Sequence, residues 1–280
     1  MREIDVDKIK DVVKDLCLKA NFELRKDILR AIKAGLQKET SGRARNILKS
    51  IIENAKLAKR KRLAICQDTG MVVVYLAIGQ NVALVGGDLK KAINDGVREA
   101  YYKGCLRKSV VDDPLLRKNT RTNTPCIIFT DLVEGDRVTI EVSPKGFGSE
   151  NKSAVKMFKP TDSIEEIKRF ILDVVKKAGP DACPPFVLGI GIGGTFDRVS
   201  HLSKKALIRS IDERNPKRHI SKLEKELLKE INAVGMGPMG LGGKTTCLAV
   251  NILEEPTHIA GLPVAVNVSC HATRSAKYTL

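Results

Sequence analysis

Five consecutive residues, Cys66-Gln67-Asp68-Thr69-Gly70, place a thiol, an amide, a carboxylate and a hydroxyl next to one another. This composition is poor for a core strand and typical of a loop whose side chains converge on a ligand. A basic segment ending at Arg62 closes a predicted helix before it, and the apolar run Met71–Leu76 predicts a buried strand after it. Two rigid elements would therefore hold the polar residues in place. A buried cysteine beside an ordinary Asx turn is the alternative, and these residues alone do not decide between the two.

The seven cysteines include no closely spaced Cys-x-x-Cys pair, and their number is odd. A disulfide framework is not expected in a cytosolic chain of this size, so the thiols are core side chains, catalytic groups or metal ligands. Those that lie in apolar runs are interpreted as small core residues: Cys17, Cys126 and Cys247. Cys105 follows a predicted helix and gives no clear signal.

Three further cysteines each lie where an apolar element meets a loop: Cys66, Cys183 and Cys270. Three thiolates from separate loops are able to hold an iron–sulfur cluster and leave one iron without a protein ligand. Their spacing does not establish such a cluster, so at this point they remain core residues or ligands.

Length and composition indicate an ordinary globular protein of 280 residues, 42% hydrophobic and 29% charged. No apolar run approaches the length of a membrane span. The first residues lack the apolar stretch of a signal peptide, so a cytoplasmic location is expected. Helical and strand-like patterns alternate along the chain, which predicts one mixed α+β domain over residues 1–280 with a helical section at 1–62.

The formal net charge of +16 raises the alternative of a nucleic-acid-binding protein. The cations are mixed with carboxylates along most predicted helices, and aromatic residues make up only 4% of the chain, with no Trp. A stacking platform for single strands is therefore poorly supplied. The same charge would attract a dianionic small substrate or an acidic protein partner.

Local signals fix several element boundaries. Asp88 predicts a helix start, and Ser163 with Glu166 forms a capping box for a helix that ends at Gly179. Ser221 with Glu224 predicts a second capping box. The polar segment Lys145–Lys152 contains too much glycine and charge for structural filler, and we interpret it as a functional loop.

Two glycine-rich segments resemble phosphate-binding motifs only superficially. Gly237–Thr245 has the wrong glycine spacing for a P-loop and follows a predicted helix instead of a strand. Gly189–Gly194 lacks a good helix after its turn, so we expect it to allow close approach of a ligand or a neighbouring element. His201 and His219 lie among basic residues and are predicted on the surface.

Four motifs, taken together, resemble the class I iron–sulfur fumarate hydratases and the similar L-tartrate dehydratases. They are Cys66–Gly70, Lys145–Lys152, Ala182-Cys183-Pro184-Pro185 running into Gly193-Gly194-Thr195, and Val268-Ser269-Cys270 with Ala272 and Arg274. The resemblance covers essentially the whole chain and is to the separate alpha subunit of the two-subunit form.

The resemblance implies one 4Fe–4S cluster whose ligands are Cys66, Cys183 and Cys270. It also implies catalytic roles for Asp68 and His258. The residues expected to face the substrate are Gln67, Asp68, Arg107, Gly146, Gly148 and Lys152. His271 departs from the family pattern, in which a smaller polar residue commonly follows the third cysteine.

The expected reaction is reversible hydration of fumarate to (S)-malate, with dehydration of tartrate to oxaloacetate as the alternative. An open iron would act as a Lewis acid, and Arg107 would pair bidentately with a substrate carboxylate. In the family, a second domain or subunit supplies the proton-transferring threonine and further cationic contacts. We therefore expect a beta subunit as partner, a heterotetramer as the assembly, and a small dicarboxylic acid as substrate.

Overall fold

A computed structural model describes the chain from Met1 to Leu280 and confirms the predicted mixed α+β fold. The helices are α1 (Val6–Phe22), α2 (Lys26–Lys38), α3 (Gly42–Lys61), α4 (Leu89–Lys103), α5 (Phe147–Glu150), α6 (Ile164–Ala178), α7 (Phe196–Ala206) and α8 (Arg218–Ala233). The strands are β1 (Arg2–Asp5), β2 (Met71–Gly79), β3 (Val82–Val85), β4 (Ile127–Val133), β5 (Val138–Lys145), β6 (Ala154–Phe158), β7 (Phe186–Gly194), β8 (Cys247–Thr257), β9 (Leu262–Ser269) and β10 (Ala276–Thr279). None of the helices has the length and apolar character of a membrane span.

The chain forms two compact units. The first unit contains Met1–Arg25, Asn54–Phe147 and Arg274–Leu280, and the second contains Lys26–Glu53 and Gly148–Thr273. The predicted helical section at 1–62 holds α1 to α3, preceded by the short strand β1, which the sequence pattern did not reveal. A single domain over 1–280 stays a prediction.

The first unit contains a two-stranded sheet, β1-β3, and a four-stranded sheet with the strand order β10-β5-β2-β4. β2 is its centre, because it pairs parallel to β4 on one side and antiparallel to β5 on the other. Val72, Val74 and Leu76 alternate along β2 and pack into one hydrophobic core with residues of α1 and α4. Cys17 and Cys126 are buried in this core, which confirms their interpretation as small hydrophobic residues.

The sheet of the second unit has the order β6-β9-β7-β8, with β7 parallel to β8 and antiparallel to β9. Its core includes apolar residues of α6 and α8, and Cys247 is buried there as predicted. The capping box of Ser163 and Glu166 starts α6, which is confirmed.

Helix α7 follows the glycine-rich strand β7 directly, although the sequence analysis expected no good helix there. A Cβ at Gly189 would lie 2.1 Å from Ser203 O, and one at Gly191 would lie 2.3 Å from Val199 O. The glycines therefore let α7 pack closely against the strand, as the close-approach interpretation predicted. His201, predicted on the surface, is half-buried on α7, and both of its ring nitrogens are shielded from solvent.

Both sheets repeat the same order of strand directions. In each, a central strand pairs parallel with the strand that follows a helical crossover, and antiparallel with the next strand along the chain. Cys66 precedes the central strand β2 in the first unit, and Cys183 precedes the central strand β7 in the second. Two of the predicted cluster ligands thus occupy equivalent places in two similar β-α-β-β arrangements.

Candidate functional site

The loop carrying Cys66 and Asp68 is held at its start by two hydrogen bonds. Ile65 N–H donates to Asn21 O at 2.9 Å, and Asn54 Nδ2 donates to Ile65 O at 2.8 Å. Cys66 is half-buried and Gln67 is exposed. The loop thus has a fixed backbone and two accessible functional side chains, lying between α3 and β2 as predicted.

The next three carbonyl groups of the loop each accept a hydrogen bond from a buried side chain. Arg274 Nη2 donates to Asp68 O at 2.8 Å, Tyr101 Oη donates to Thr69 O at 2.6 Å, and Asn123 Nδ2 donates to Gly70 O at 3.1 Å. Since buried polar groups are costly to leave unpaired, these donors fix the backbone of the loop.

The Asp68 carboxylate accepts a backbone N–H on each oxygen. Gly70 N donates to Oδ1 at 3.0 Å, and Phe147 N donates to Oδ2 at 2.8 Å. A Cβ at Gly146 would lie only 3.0 Å from Oδ2, so this position favours glycine. The structure therefore brings the predicted site residues Asp68 and Gly146 together in the first unit.

Arg274 extends this cluster into the core. Its Nη1 donates to Asn21 Oδ1 at 3.1 Å, and Asn21 Nδ2 donates in turn to Cys17 O at 2.9 Å. Arg274 is only 4% exposed, and its Nε has no hydrogen-bond partner. Burial raises the pKa of the Tyr101 phenol, so its hydroxyl stays protonated and donates to the loop.

Arg107 reaches the same loop through its backbone. Thr69 Oγ1 donates to Arg107 O at 2.7 Å, while the Arg107 side chain is exposed. Asn123, whose amide binds Gly70 O, accepts Ser109 N–H on its Oδ1 at 2.7 Å. The segment that begins at Arg107 and ends at Asn123 is therefore anchored to the loop at both ends.

In the second unit, the structure brings Cys183 and Cys270 to neighbouring segments. Cys183 ends a 3-10 turn in the left-handed region at φ 53°, and Cys270 directly follows β9. His271 N–H donates to Cys183 O at 3.2 Å, and His271 Nδ1 lies 3.2 Å from the same oxygen. His271, whose departure from the family pattern had no assigned role, thus ties the two cysteine segments together.

Lys152 lies beside the Cys183 segment. Its Nζ is 3.1 Å from Asp181 Oδ2, and a Cβ at Gly148 would lie 3.8 Å from Asp181 O. The predicted substrate residues Gly148 and Lys152 therefore both lie next to the turn that presents Cys183.

His258 is placed differently. It is exposed in the turn between β8 and β9, and its Nδ1 accepts Ala260 N–H at 3.1 Å. Cys270 lies at the other end of β9, and a strand of that length spans roughly 26 Å. The structure does not bring His258 together with Cys183 and Cys270, so its catalytic role stays a prediction.

The donor chemistry of the cysteines fits the predicted ligand set. Burial raises the pKa of Cys126 and Cys247 to about 12, whereas a metal ligand must be a thiolate. The half-buried thiols are those predicted as ligands, namely Cys66, Cys183 and Cys270. No group of three or more His, Cys, Asp or Glu side chains is arranged to hold a single metal ion.

A comparison with protein families matches residues 10–279 to the fumarate hydratase (Fumerase) family. The chain belongs to this family. The resemblance drawn from the four motifs is confirmed, and the protein is a hydro-lyase by family.

Curated relatives align along nearly the whole chain. A putative L(+)-tartrate dehydratase subunit alpha from Methanocaldococcus jannaschii is 44% identical over 278 residues, covering 96% of each chain. The L(+)-tartrate dehydratase subunit alpha of Escherichia coli K12 is 28% identical over 272 residues, covering 96% of this chain and 89% of the relative.

Sequence reasoning missed the network behind the loop in this family member. The sequence analysis named neither Asn21 nor Tyr101, and it noted Arg274 only as part of a motif. The one available signal was polarity, since Asn21 and Arg274 are polar residues within otherwise apolar or small-residue surroundings.

Proposed function

We propose that this chain is the alpha-type subunit of an iron–sulfur hydro-lyase that converts L-tartrate to oxaloacetate and water. The observation that carries the proposal is the 44% identity, over 96% of both chains, to a relative named as a tartrate dehydratase subunit alpha. A second relative with the same activity in its name supports it. The comparisons thus favour the tartrate alternative over the expected fumarate reaction.

Hydration of fumarate to (S)-malate is the second candidate, because the matching family is described as fumarate hydratase. Both reactions act on a four-carbon acid with two carboxylates, so the same cationic contacts would serve either substrate. The family description and the relatives' names refer to hydro-lyases, so nucleic-acid binding ranks below both candidates.

We propose Cys66, Cys183 and Cys270 as the ligands of one 4Fe–4S cluster. Their partial exposure suits thiolate ligands, and the raised pKa values of Cys126 and Cys247 disfavour those residues. When bound, a cluster with one iron free of protein ligands supplies a Lewis acid for the substrate hydroxyl.

The residues around Asp68 would bind the substrate and handle its proton. Asp68 holds a fixed orientation because both of its oxygens accept backbone N–H groups, and this suits a carboxylate that orients a proton-transferring group. Arg107 is exposed and forms no ion pair, so its guanidinium is available for bidentate pairing with a carboxylate. Gln67 is exposed beside them and would donate through its amide.

Lys152 and the backbone of Gly148 are further proposed substrate contacts, and Lys152 would supply a positive charge. Its ammonium group now pairs with the exposed Asp181, whose carboxylate a substrate carboxylate would replace. The partner in this proposal is a beta subunit, as the word alpha in the relatives' names implies. We propose a heterotetramer as the assembly, as the family resemblance implies.

The test is anaerobic reconstitution of the chain with iron and sulfide, followed by assays with and without its beta subunit. We expect brown protein with visible absorption and with four irons per chain. Turnover should require the second subunit and should be faster on L-tartrate than on fumarate or malate. Faster fumarate hydration would instead select the second candidate, and a chain that stays colourless would refute both.

A further inference from the structure

The segment that leaves the site at Arg107 folds into an ordered hairpin before it returns at Asn123. Val111 and Asn119 form an antiparallel bridge, Asp112 N–H donates to Lys118 O at 2.9 Å, and Thr120 N–H donates to Val110 O at 2.9 Å. We call residues 110–120 the hairpin. Its paired backbone makes it a defined projection of the first unit.

A single carboxylate organises the tip of the hairpin. Asp113 Oδ1 accepts the N–H groups of Leu115 and Leu116, both at 2.7 Å, and Arg117 N–H donates to Asp113 O at 2.9 Å. The N–H groups of Leu116 and Leu115 also lower the pKa of Asp113, so the carboxylate remains charged and keeps accepting them at neutral pH.

The tip nevertheless presents two large apolar side chains to solvent. Leu115 is 89% exposed and Leu116 is 82% exposed. Adjacent leucines on an ordered backbone lose little conformational freedom when they are buried by a partner, which favours binding. Exposed aliphatic pairs of this kind mark interaction sites more often than isolated surface residues do.

The charges around the tip define what would fit it. From Arg107 to Asn123, with both ends included, the chain carries five cationic residues and two aspartates, and Asp113 is already used within the tip. Arg117, Lys118 and Arg121 are exposed and form no ion pair. A complementary surface would therefore combine an apolar pocket with a rim of Asp and Glu.

We propose that the hairpin tip docks the second subunit of the enzyme, in an apolar pocket of that subunit lined at its edge by carboxylates. This rests on the proposed function, which requires a beta subunit. A second copy of this chain fits less well, because each copy carries a net charge of +16 and the same unpaired cations at the tip. The residues that flank the hairpin, Arg107 and Asn123, are anchored to the Cys66–Gly70 loop, so docking at the tip would also hold the segment that presents Arg107.

The test measures the affinity of the cluster-loaded chain for the purified subunit that restores its turnover. In the double variant Leu115→Ser/Leu116→Ser, we expect the dissociation constant to rise roughly a hundredfold, as for loss of a central apolar contact. The matched control is Ile259→Ser, which removes a side chain that is 91% exposed in a different turn. The control should bind like the wild type, and all three proteins should melt alike.

A second variant examines the charged rim. Arg117→Glu/Lys118→Glu should slow association by about tenfold or more at low ionic strength, with a smaller effect at high salt. Wild-type affinity in the leucine variant would overturn the docking proposal and leave the proposed function standing, because the active complex would still form. An equal loss in Ile259→Ser would also overturn it, as would a leucine-dependent dimer of the chain alone in sedimentation.

Discussion

Replacing Arg274 with methionine tests whether this buried side chain fixes the loop that carries Asp68. The change keeps most of the side-chain volume and removes the hydrogen bonds to Asp68 O at 2.8 Å and Asn21 Oδ1 at 3.1 Å. Hydrogen bonds from a charged donor contribute about 1.5–3 kcal/mol each, so the loss is about 3–6 kcal/mol. The variant also no longer buries a guanidinium whose Nε is unpaired, and this reduces the loss of stability by roughly 1–3 kcal/mol.

We therefore expect Arg274→Met to lower the free energy of unfolding by about 3 kcal/mol, measured by urea titration and circular dichroism. Hydrogen–deuterium exchange should rise in peptides covering residues 66–71, because the loop backbone loses a fixed point. The stability of Arg274→Lys should lie between those of the wild type and Arg274→Met, because one ammonium group cannot reach both acceptors as the guanidinium does.

The control is Arg198→Met, which removes a half-exposed arginine paired with Glu255. A pair at this exposure contributes about 1 kcal/mol or less, so this variant should remain near wild-type stability with unchanged exchange at 66–71. If Arg274→Met lost less than about 1 kcal/mol and its loop exchanged like the wild type, the assigned positioning role would be refuted.

Three further predictions address the cluster ligands, stability in acid and the contact between Gly146 and Asp68. Cys270→Ala should abolish the visible absorption of reconstituted protein with the fold retained, whereas Cys247→Ala should keep the colour and lose only about 1–2 kcal/mol of packing; a colourless Cys247→Ala would disprove the ligand assignment. The hydrogen bond from Arg198 lowers the pKa of Glu255 below its ordinary value of 4.5, so the pairing contributes stability above that pH and loses it as the pH falls through the lower folded value. The stability difference between wild type and Glu255→Gln should therefore shrink between pH 7 and pH 3 in urea titrations, and a difference that grows on acidification would contradict this sign. Gly146→Ala should leave the melting temperature nearly unchanged but reduce turnover by about tenfold or more, because the added methyl group crowds the Asp68 carboxylate. Undiminished turnover would show that the close approach of Gly146 to Asp68 is not needed for activity.

Features determined by a few adjacent residues were predictable from the sequence. The cap at Asp88 is confirmed, since its carboxylate accepts Lys91 N–H at 2.6 Å at the start of α4. The capping box at Ser163 is confirmed for the same reason. The Ser221–Glu224 box was wrong, because α8 already begins at Arg218.

Glu224 shows why a local pattern failed there. Its Oε1 accepts Ile252 N–H from β8 at 2.8 Å and also pairs with Arg209, which lies just after α7, so the carboxylate does not cap the start of α8. The spacing of Ser221 and Glu224 matches a capping box, but Glu224 makes a tertiary contact instead. A single sequence does not show which of these two interactions the side chain will form.

The same limit applies to the candidate site. The loop at Cys66–Gly70 was recognisable because its chemistry is concentrated in five residues. The side chains that donate hydrogen bonds to the loop are Arg274, Tyr101 and Asn123. They are separated from it in sequence by about 30 to 200 positions. The repeated strand order was equally hidden, because backbone pairing is compatible with many different side chains.

The end of the chain, which carries Arg274 and β10, completes the first unit. Both belong to the first unit, yet both come after the whole second unit in the chain. On the ribosome, the sheet of the first unit would therefore wait for its β10 strand until the second unit has been made. Asp68, synthesised early, would receive its Arg274 contact only after the second unit has been synthesised. Full ordering of the Asp68 loop would therefore indicate that synthesis of the second unit is complete.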